Sequence, residues 1–261
     1  MDLELKGKTA VILASSQGLG FAIAERLIRE GTNVVISGRN EEKLKSKCSE
    51  LETIGAGKPT YQKADITNTE DIKQLISHAV ETFGSIDILV NNAGGPPAGS
   101  FEELTDEQWQ DSFELNLLSY VRTIREALPY LKKKGGKILN IASSSIKEPI
   151  PGLILSNTFR TGIIGLSKTL ASELAPYNIL INTIAPGRIA TDRVKHLNQV
   201  NADKLGIDIN KVEEQSKAQI PLKRYGTPEE FANVAAFLLS DANSYVTGSA
   251  LLVDGGLVKA V

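Results

Sequence analysis

TAVILASSQGLGFAIAERL, residues 9–27, is the stretch whose reading decides the fold. An almost continuously apolar run, TAVILA (9–14), enters a turn of small residues. It leaves as FAIAERLIRE (21–30), where apolar residues fall three and four positions apart. The first part reads as a strand covered on both faces, the last as an amphipathic helix. Between them, Gly18 and Gly20 let the backbone approach a pyrophosphate closely, and Ser15 and Ser16 add hydroxyl donors. Free N–H groups at the helix start, together with its dipole, favour an anion there. The cradle expected for a dinucleotide is therefore Ser15, Ser16, Gln17, Gly18, Leu19 and Gly20.

The same alternation continues outward. NVVIS (33–37), IDILVN (86–91), KILNIA (137–142), ILINTI (179–184) and SALLVD (249–254) are further short apolar runs. EEKLKSKCSEL, EDIKQLISHAVETF and VRTIREALPYL carry the helical period between them. Thr67 with Glu70 three residues on suggests a capping box for the third helix. No composition break or linker interrupts the pattern. The expected fold class is α/β: a single-domain, Rossmann-type doubly wound parallel sheet over residues 1–261, with helices on both faces. Two segments depart from the rhythm. NAGGPPAGS (92–100) is a loop by composition. Residues 188–220 are polar and carry no strand, so they are read as an insertion able to cover a site at the strands' carboxyl ends.

Bulk properties exclude several functions. A net charge of -2 gives no electrostatic footprint for nucleic acid or an anionic membrane. No stretch approaches the roughly 20 apolar residues of a membrane span. The start, MDLELKGKTA, is too charged for a secretory signal. Cys48 is the only cysteine, and a cytoplasmic location is expected. His78 and His196 are the only histidines and have no ligand-spaced companions, so no metal is expected.

The end of the second strand bears on the cofactor. In VVISGRNEEKL, Gly38 stands where a ribose-binding carboxylate would favour NAD(H), and Arg39 follows. A guanidinium pairs well with a 2′-phosphate, so NADP(H) is preferred over NAD(H).

With these residues in view, the chain resembles the short-chain dehydrogenase/reductase family, in particular its 3-oxoacyl-ACP-reductase-like branch. Asp65 in KADIT, NNAG at 91–94, Asn116 in ELNLLS, Ser143 in NIASSS and PGRIATD at 186–192 occur in the family's order. The resemblance implies that Asp65 and Ile66 contact adenine, and that Asn92, Ala93 and Gly94 line the adenosine side. It implies that Pro186, Gly187, Ile189 and Thr191 hold the nicotinamide carboxamide. Asn116 would order a helical kink and a proton-relay water, and Ser143 would hydrogen-bond a substrate carbonyl. A homotetramer is implied as well.

The resemblance breaks at two places. The family's catalytic helix carries a tyrosine and, four residues later, a lysine. LSNTFRTGIIG (155–165) aligns without a gap, placing Ser156 and Arg160 at those positions. Counting thirteen residues on from Ser143 gives the same register. Tyr130 and Tyr177, the next tyrosines considered, lie outside the stretch. A serine is a far weaker acid than a phenol tuned from its pKa of about 10, and losing a positioned acid costs about 10²–10⁴-fold in rate. Arg160 stays protonated, cannot relay a proton, and can take over the lysine's ribose-holding role. The expected catalytic set is therefore Ser143, Asn116, Ser156 and Arg160, with Arg160 also in the cofactor site. At the glycine turn, the family's Thr-Gly opening is Leu13-Ala14, and alanine's resistance to positive φ suggests a displaced loop.

Two functions stay open on sequence, beside an enzyme of another reaction type built on the same fold. One is an NADP(H)-dependent oxidoreductase acting on a small carbonyl or alcohol substrate through a non-standard proton donor. Lys147, Glu148, Arg188, His196 and a water relayed by Ser143 and Asn116 are the candidate donors. The other is a catalytically impaired NADP(H)-binding protein, serving as a sensor or a hetero-oligomer subunit.

Overall fold

Apolar β-branched runs that are buried on both faces can only pair side by side and take helices above and below. The computed structural model describes residues 2–260. Met1 and Val261, the ends of the 1–261 unit expected from sequence, lie outside the described residues.

The strands are β1 (Thr9–Ile12), β2 (Asn33–Gly38), β3 (Pro59–Lys63), β4 (Ile88–Asn91), β5 (Gly136–Ile141), β6 (Ile179–Pro186) and β7 (Ala250–Val253). They form one parallel sheet in the order β3-β2-β1-β4-β5-β6-β7. Val11 sits beside Val35 and Ile12 beside Val90, so the central strands lie in register over their buried residues.

The helices are α1 (Gly18–Arg29), α2 (Glu41–Glu52), α3 (Thr69–Phe83), α4 (Asp106–Phe113), α5 (Ser119–Leu131), α6 (Ile154–Leu174), α7 (Asp192–Leu205), α8 (Ile209–Gln219) and α9 (Pro228–Leu239). One face of the sheet packs Leu27, Ile28, Phe231 and Leu239 with β-strand residues such as Ile12 and Val90. The other face packs Leu75, Ile124, Leu131 and Leu174 with Val11 and Leu89. Cys48 is buried in the first layer, where desolvation, and then the Glu52 charge, push its thiol up to about 11. It is a packing residue.

Three sequence expectations need correction. PTYQK was missed as a strand; it is the polar, half-buried edge strand β3, which has no apolar run to betray it. The cap of α3 is Asn68, whose side chain accepts from Glu70 N at 2.8 Å and Asp71 N at 3.3 Å; Thr67 donates to Asp65 instead. SALLVD is not covered on both faces, because β7 lies at the opposite sheet edge and leaves Leu251 exposed. Residues 188–220 contain α7 and α8 and no strand.

The strand order reverses between β1 and β4. Chains leaving those two strands diverge to opposite faces, so a crevice opens at their carboxyl ends. The glycine turn follows β1 and the NAGGPPAGS loop follows β4, which sets both at the mouth of that crevice.

Candidate active site

The glycine turn is shaped by hydrogen bonds from its own backbone. Leu13 N donates to Val90 O at 3.0 Å and Ser15 N to Ser37 O at 2.8 Å, which fixes the chain as it leaves β1. The Ser15 hydroxyl donates to Ile12 O at 2.7 Å and accepts from Ser37 N at 3.0 Å. It is buried and welds the tips of β1 and β2, so it is not the phosphate donor expected from sequence. Ser16 lies half-buried against Gly38, and the exposed Gln17 accepts from the Lys43 ammonium.

Gln17 precedes α1 without a side-chain cap, so the first N–H groups of the helix, from Gly18 on, are not covered by the chain's own oxygens. Gly18 has φ 60°, a left-handed value. Ala14 itself adopts φ 46°, the left-handed region that glycine enters freely and alanine enters only with strain.

Gly20 is demanded by a close approach. A Cβ there would lie 2.7 Å from Asn92 Nδ2 and 3.0 Å from Ser15 Cα. Asn92 in turn donates to Ala14 O at 3.0 Å, tying the loop after β4 to the glycine turn. The loop after β6 joins them: a Cβ on Gly18 would meet Thr191 Cγ2 at 4.0 Å. Gly187 is pressed against Asp254, and its N–H donates to Val253 O at 3.0 Å, holding Pro186 and Ile189 in place. Three loops thus converge on the crevice.

Toward β2 and β3, Arg39 is exposed, and among the described residues it makes no ion pair. The Asp65 carboxylate accepts from Thr67 N at 3.0 Å and Thr67 Oγ1 at 2.8 Å. Ile66 is buried, Ala93 half-buried and Gly94 exposed.

The inner end of the crevice is built on α6. Arg160 is only 5% exposed. Its Nη1 donates to Tyr120 Oη at 2.9 Å and Ile141 O at 2.8 Å, and its Nη2 to Ala93 O at 3.2 Å. Tyr120 Oη donates to Ile141 O at 2.9 Å. Burial raises the phenol's pKa, with the Arg160 charge opposing, so Tyr120 remains a neutral donor. The network fastens α6 to α5, β5 and the loop after β4 at once.

Asn116 lies in the π-helical turn Glu114–Leu118 between α4 and α5, fully buried, with neither side-chain polar atom bonded among the described residues. A buried amide of this kind calls for a partner from outside the chain. Ser143 Oγ accepts from Ser145 N at 3.2 Å, leaving its hydroxyl hydrogen free to donate. Ser156 is half-buried, and its side chain makes no hydrogen bond among the described residues. Lys147, Glu148 and His196 are exposed, and Arg188 is half-buried. Among the described residues no group of three His, Cys, Asp or Glu is placed to hold a metal.

Sequence reading missed two side chains. Tyr120 lies outside the α6 stretch that carries the resemblance; its signal in the sequence is its position one helical turn after Asn116, on the same face. Arg193, on the first turn of α7, donates from Nη2 to Pro96 O at 2.9 Å and carried no recognisable signal.

A sequence profile described as enoyl-(acyl carrier protein) reductase matches residues 13–258. The chain belongs to the short-chain dehydrogenase/reductase family. It is 36% identical over the full length of both chains to the uncharacterized oxidoreductase YvrD of Bacillus subtilis. It is 34% identical to the 3-oxoacyl-[acyl-carrier-protein] reductase FabG of Aquifex aeolicus, over 98% of this chain and 100% of that one. Among solved structures it resembles L-sorbose reductase from Gluconobacter frateurii complexed with NADPH and L-sorbose. That likeness has a TM-score of 0.95 at 33% identity and covers 100% of both chains. No described helix is long and apolar enough to cross a membrane.

Proposed function

We propose that this chain is an NADP(H)-dependent oxidoreductase that interconverts a carbonyl and an alcohol, with a proton donor other than the family's tyrosine. The observation that carries the reading is the convergence at the crevice of the uncapped start of α1, the Asn92–Ala14 tie and the Thr191 loop. These residues fit a dinucleotide. The open N–H groups of α1 suit its diphosphate, and the close-packed Gly20 keeps the backbone low enough to reach it. Arg39, exposed at the end of β2, favours the 2′-phosphate of NADP(H). FabG, YvrD and the NADPH-bound sorbose reductase are reductases or oxidoreductases by name, in keeping with this reading.

When bound, the nicotinamide would supply or accept the hydride. Arg160 would hold its ribose, being charged, buried and fixed in direction by Tyr120, Ile141 and Ala93. Ser143 would donate its free hydroxyl hydrogen to the substrate oxygen. With Ser156 in place of a phenol and Arg160 unable to release a proton, the proton would come from water held by Asn116 and Ser143. Residues 188–220 would cover the substrate, and the whole chain would act as one domain.

The test is NADPH fluorescence titration, followed by absorbance at 340 nm against ketones, aldehydes and 3-oxoacyl esters. The expected result is micromolar NADPH binding, tighter than NADH, and slow turnover of at least one carbonyl class. Binding without any turnover would favour the impaired, cofactor-binding alternative. No binding at millimolar cofactor would sink both.

A further inference from the structure

Two guanidinium groups flank the loop after β4, and among the described residues neither has a carboxylate partner. Arg160 reaches it from the inner side through Ala93 O at 3.2 Å, and Arg193 from the α7 side through Pro96 O at 2.9 Å. Arg193 lies flat over Gly95, where a Cβ would stand 2.9 Å from Nη2, 3.0 Å from Nε and 3.1 Å from Cζ. The glycine makes room for the guanidinium.

Nothing in α7 explains a cation at this place. Arg193 follows the helix N-cap Thr191 by two residues, where the helix dipole disfavours positive charge. Arg193 as a residue is exposed, yet desolvation of the guanidinium packed over Gly95, and then the Arg160 charge, lower its pKa. Two like charges that oppose each other across the loop after β4 are stabilised by an incoming anion. Arg193 spends only Nη2 on the chain, so its remaining donors form a fork suited to a carboxylate.

We propose that Arg193 receives an anionic group of the substrate, a carboxylate, with Arg160 adding to the positive field, so that the substrate class is oxo acids or their hydroxy-acid counterparts. This rests on the oxidoreductase reading above for the carbonyl half of the substrate. The cofactor's diphosphate is the other anion able to reach this crevice, and the test separates the two.

The experiment is isothermal titration calorimetry on the protein saturated with NADP⁺, using acetoacetate and pyruvate against their methyl esters, for the wild type and Arg193→Gln. The wild type should bind at least one acid about tenfold or more tightly than its ester. Arg193→Gln should abolish that preference while changing NADP⁺ affinity by less than about twofold, and Arg193→Lys should restore part of it. Wild type that takes acid and ester alike, or neither, overturns the proposal. So does a glutamine variant that keeps the preference. A variant that loses NADP⁺ affinity instead assigns the arginine to the diphosphate. Should the wild type fail to bind NADP⁺ at all, the oxidoreductase reading falls, and the same acid-against-ester titration of the cofactor-free protein still decides the role of Arg193.

Discussion

The glycine turn and helix α6 both lack the residues their family resemblance leads one to expect, yet they respond in opposite ways. At the turn, where the resemblance leads one to expect a glycine, the backbone holds Ala14 at a left-handed φ of 46°. On α6, Arg160 and Ser156 sit in an intact helix, and the Arg160 guanidinium bonds Tyr120 Oη, Ile141 O and Ala93 O. The turn is defined by main-chain hydrogen bonds from Leu13 and Ser15 and by the Asn92 side-chain amide donating to the main-chain Ala14 O, and none of these depends on the side chain at position 14. The inner site is defined by side-chain atoms, so changing the atoms changes the chemistry. Backbone-built features tolerate an unsuitable residue at the cost of strain; side-chain-built features are replaced outright.

Arg160→Leu attacks that comparison most strongly. It leaves Ala93 O and Tyr120 Oη without their side-chain donor and removes one of the two side-chain donors to Ile141 O. An unpaired buried polar group costs about 1–3 kcal/mol, so urea denaturation should show a loss near 2 kcal/mol. NADPH affinity, measured by fluorescence, should fall about tenfold or more, because a charge-assisted contact is lost. If stability and affinity both stay at wild-type level, the side-chain network is not what organises the inner site, and the contrast collapses.

Tyr120→Phe is the milder test of the same network. Arg160 Nη1 keeps Ile141 O and Ile141 O keeps Arg160, so only one link disappears from each. The expected loss is about 1–1.5 kcal/mol in urea, with an unchanged m-value. The sign of its pH dependence follows from the raised phenol pKa. Stability from a protonated group with a raised pKa is fully present below the unfolded value of about 10 and is lost as pH rises beyond it. The difference between wild type and variant should therefore be the same at pH 6 and pH 8, and shrink only in alkali. A difference that changes between pH 6 and pH 8 would mean that the phenol ionises in the working range.

The same division explains what the sequence made legible. Alternating apolar runs predicted the central strands and their helices, because burial on two faces leaves a compositional mark. β3 left none, since PTYQK at the sheet edge is half solvated. The glycine turn and the PGRIATD loop are recognisable because close backbone approach demands small residues, as at Gly20 and Gly187, whereas the NNAG loop is marked by Asn92, which ties back to Ala14 O. The partners of Arg160 were not legible. Ala93 O and Ile141 O are main-chain atoms that any residue supplies, and Tyr120 comes from a helix 40 residues away in sequence. Ser15 was read in the right place with the wrong task, because a hydroxyl facing a phosphate and one tying two strands look alike in sequence.

Ala14→Gly should have the smallest effect and the opposite sign. The left-handed region costs a non-glycine residue roughly 1–2 kcal/mol, whereas glycine adds backbone freedom to the unfolded chain worth roughly 0.5–1 kcal/mol. The balance favours the variant by about 0.5–1 kcal/mol, seen as a higher urea midpoint at constant m-value. Ala14 O still accepts from Asn92, so the turn and its tie to the loop after β4 should survive, and NADPH affinity should change by less than about twofold. If the variant is instead less stable, the alanine methyl group contributes packing that outweighs its strain. The turn would then be held by a side chain after all, as α6 is, and the two regions would differ in degree and not in kind.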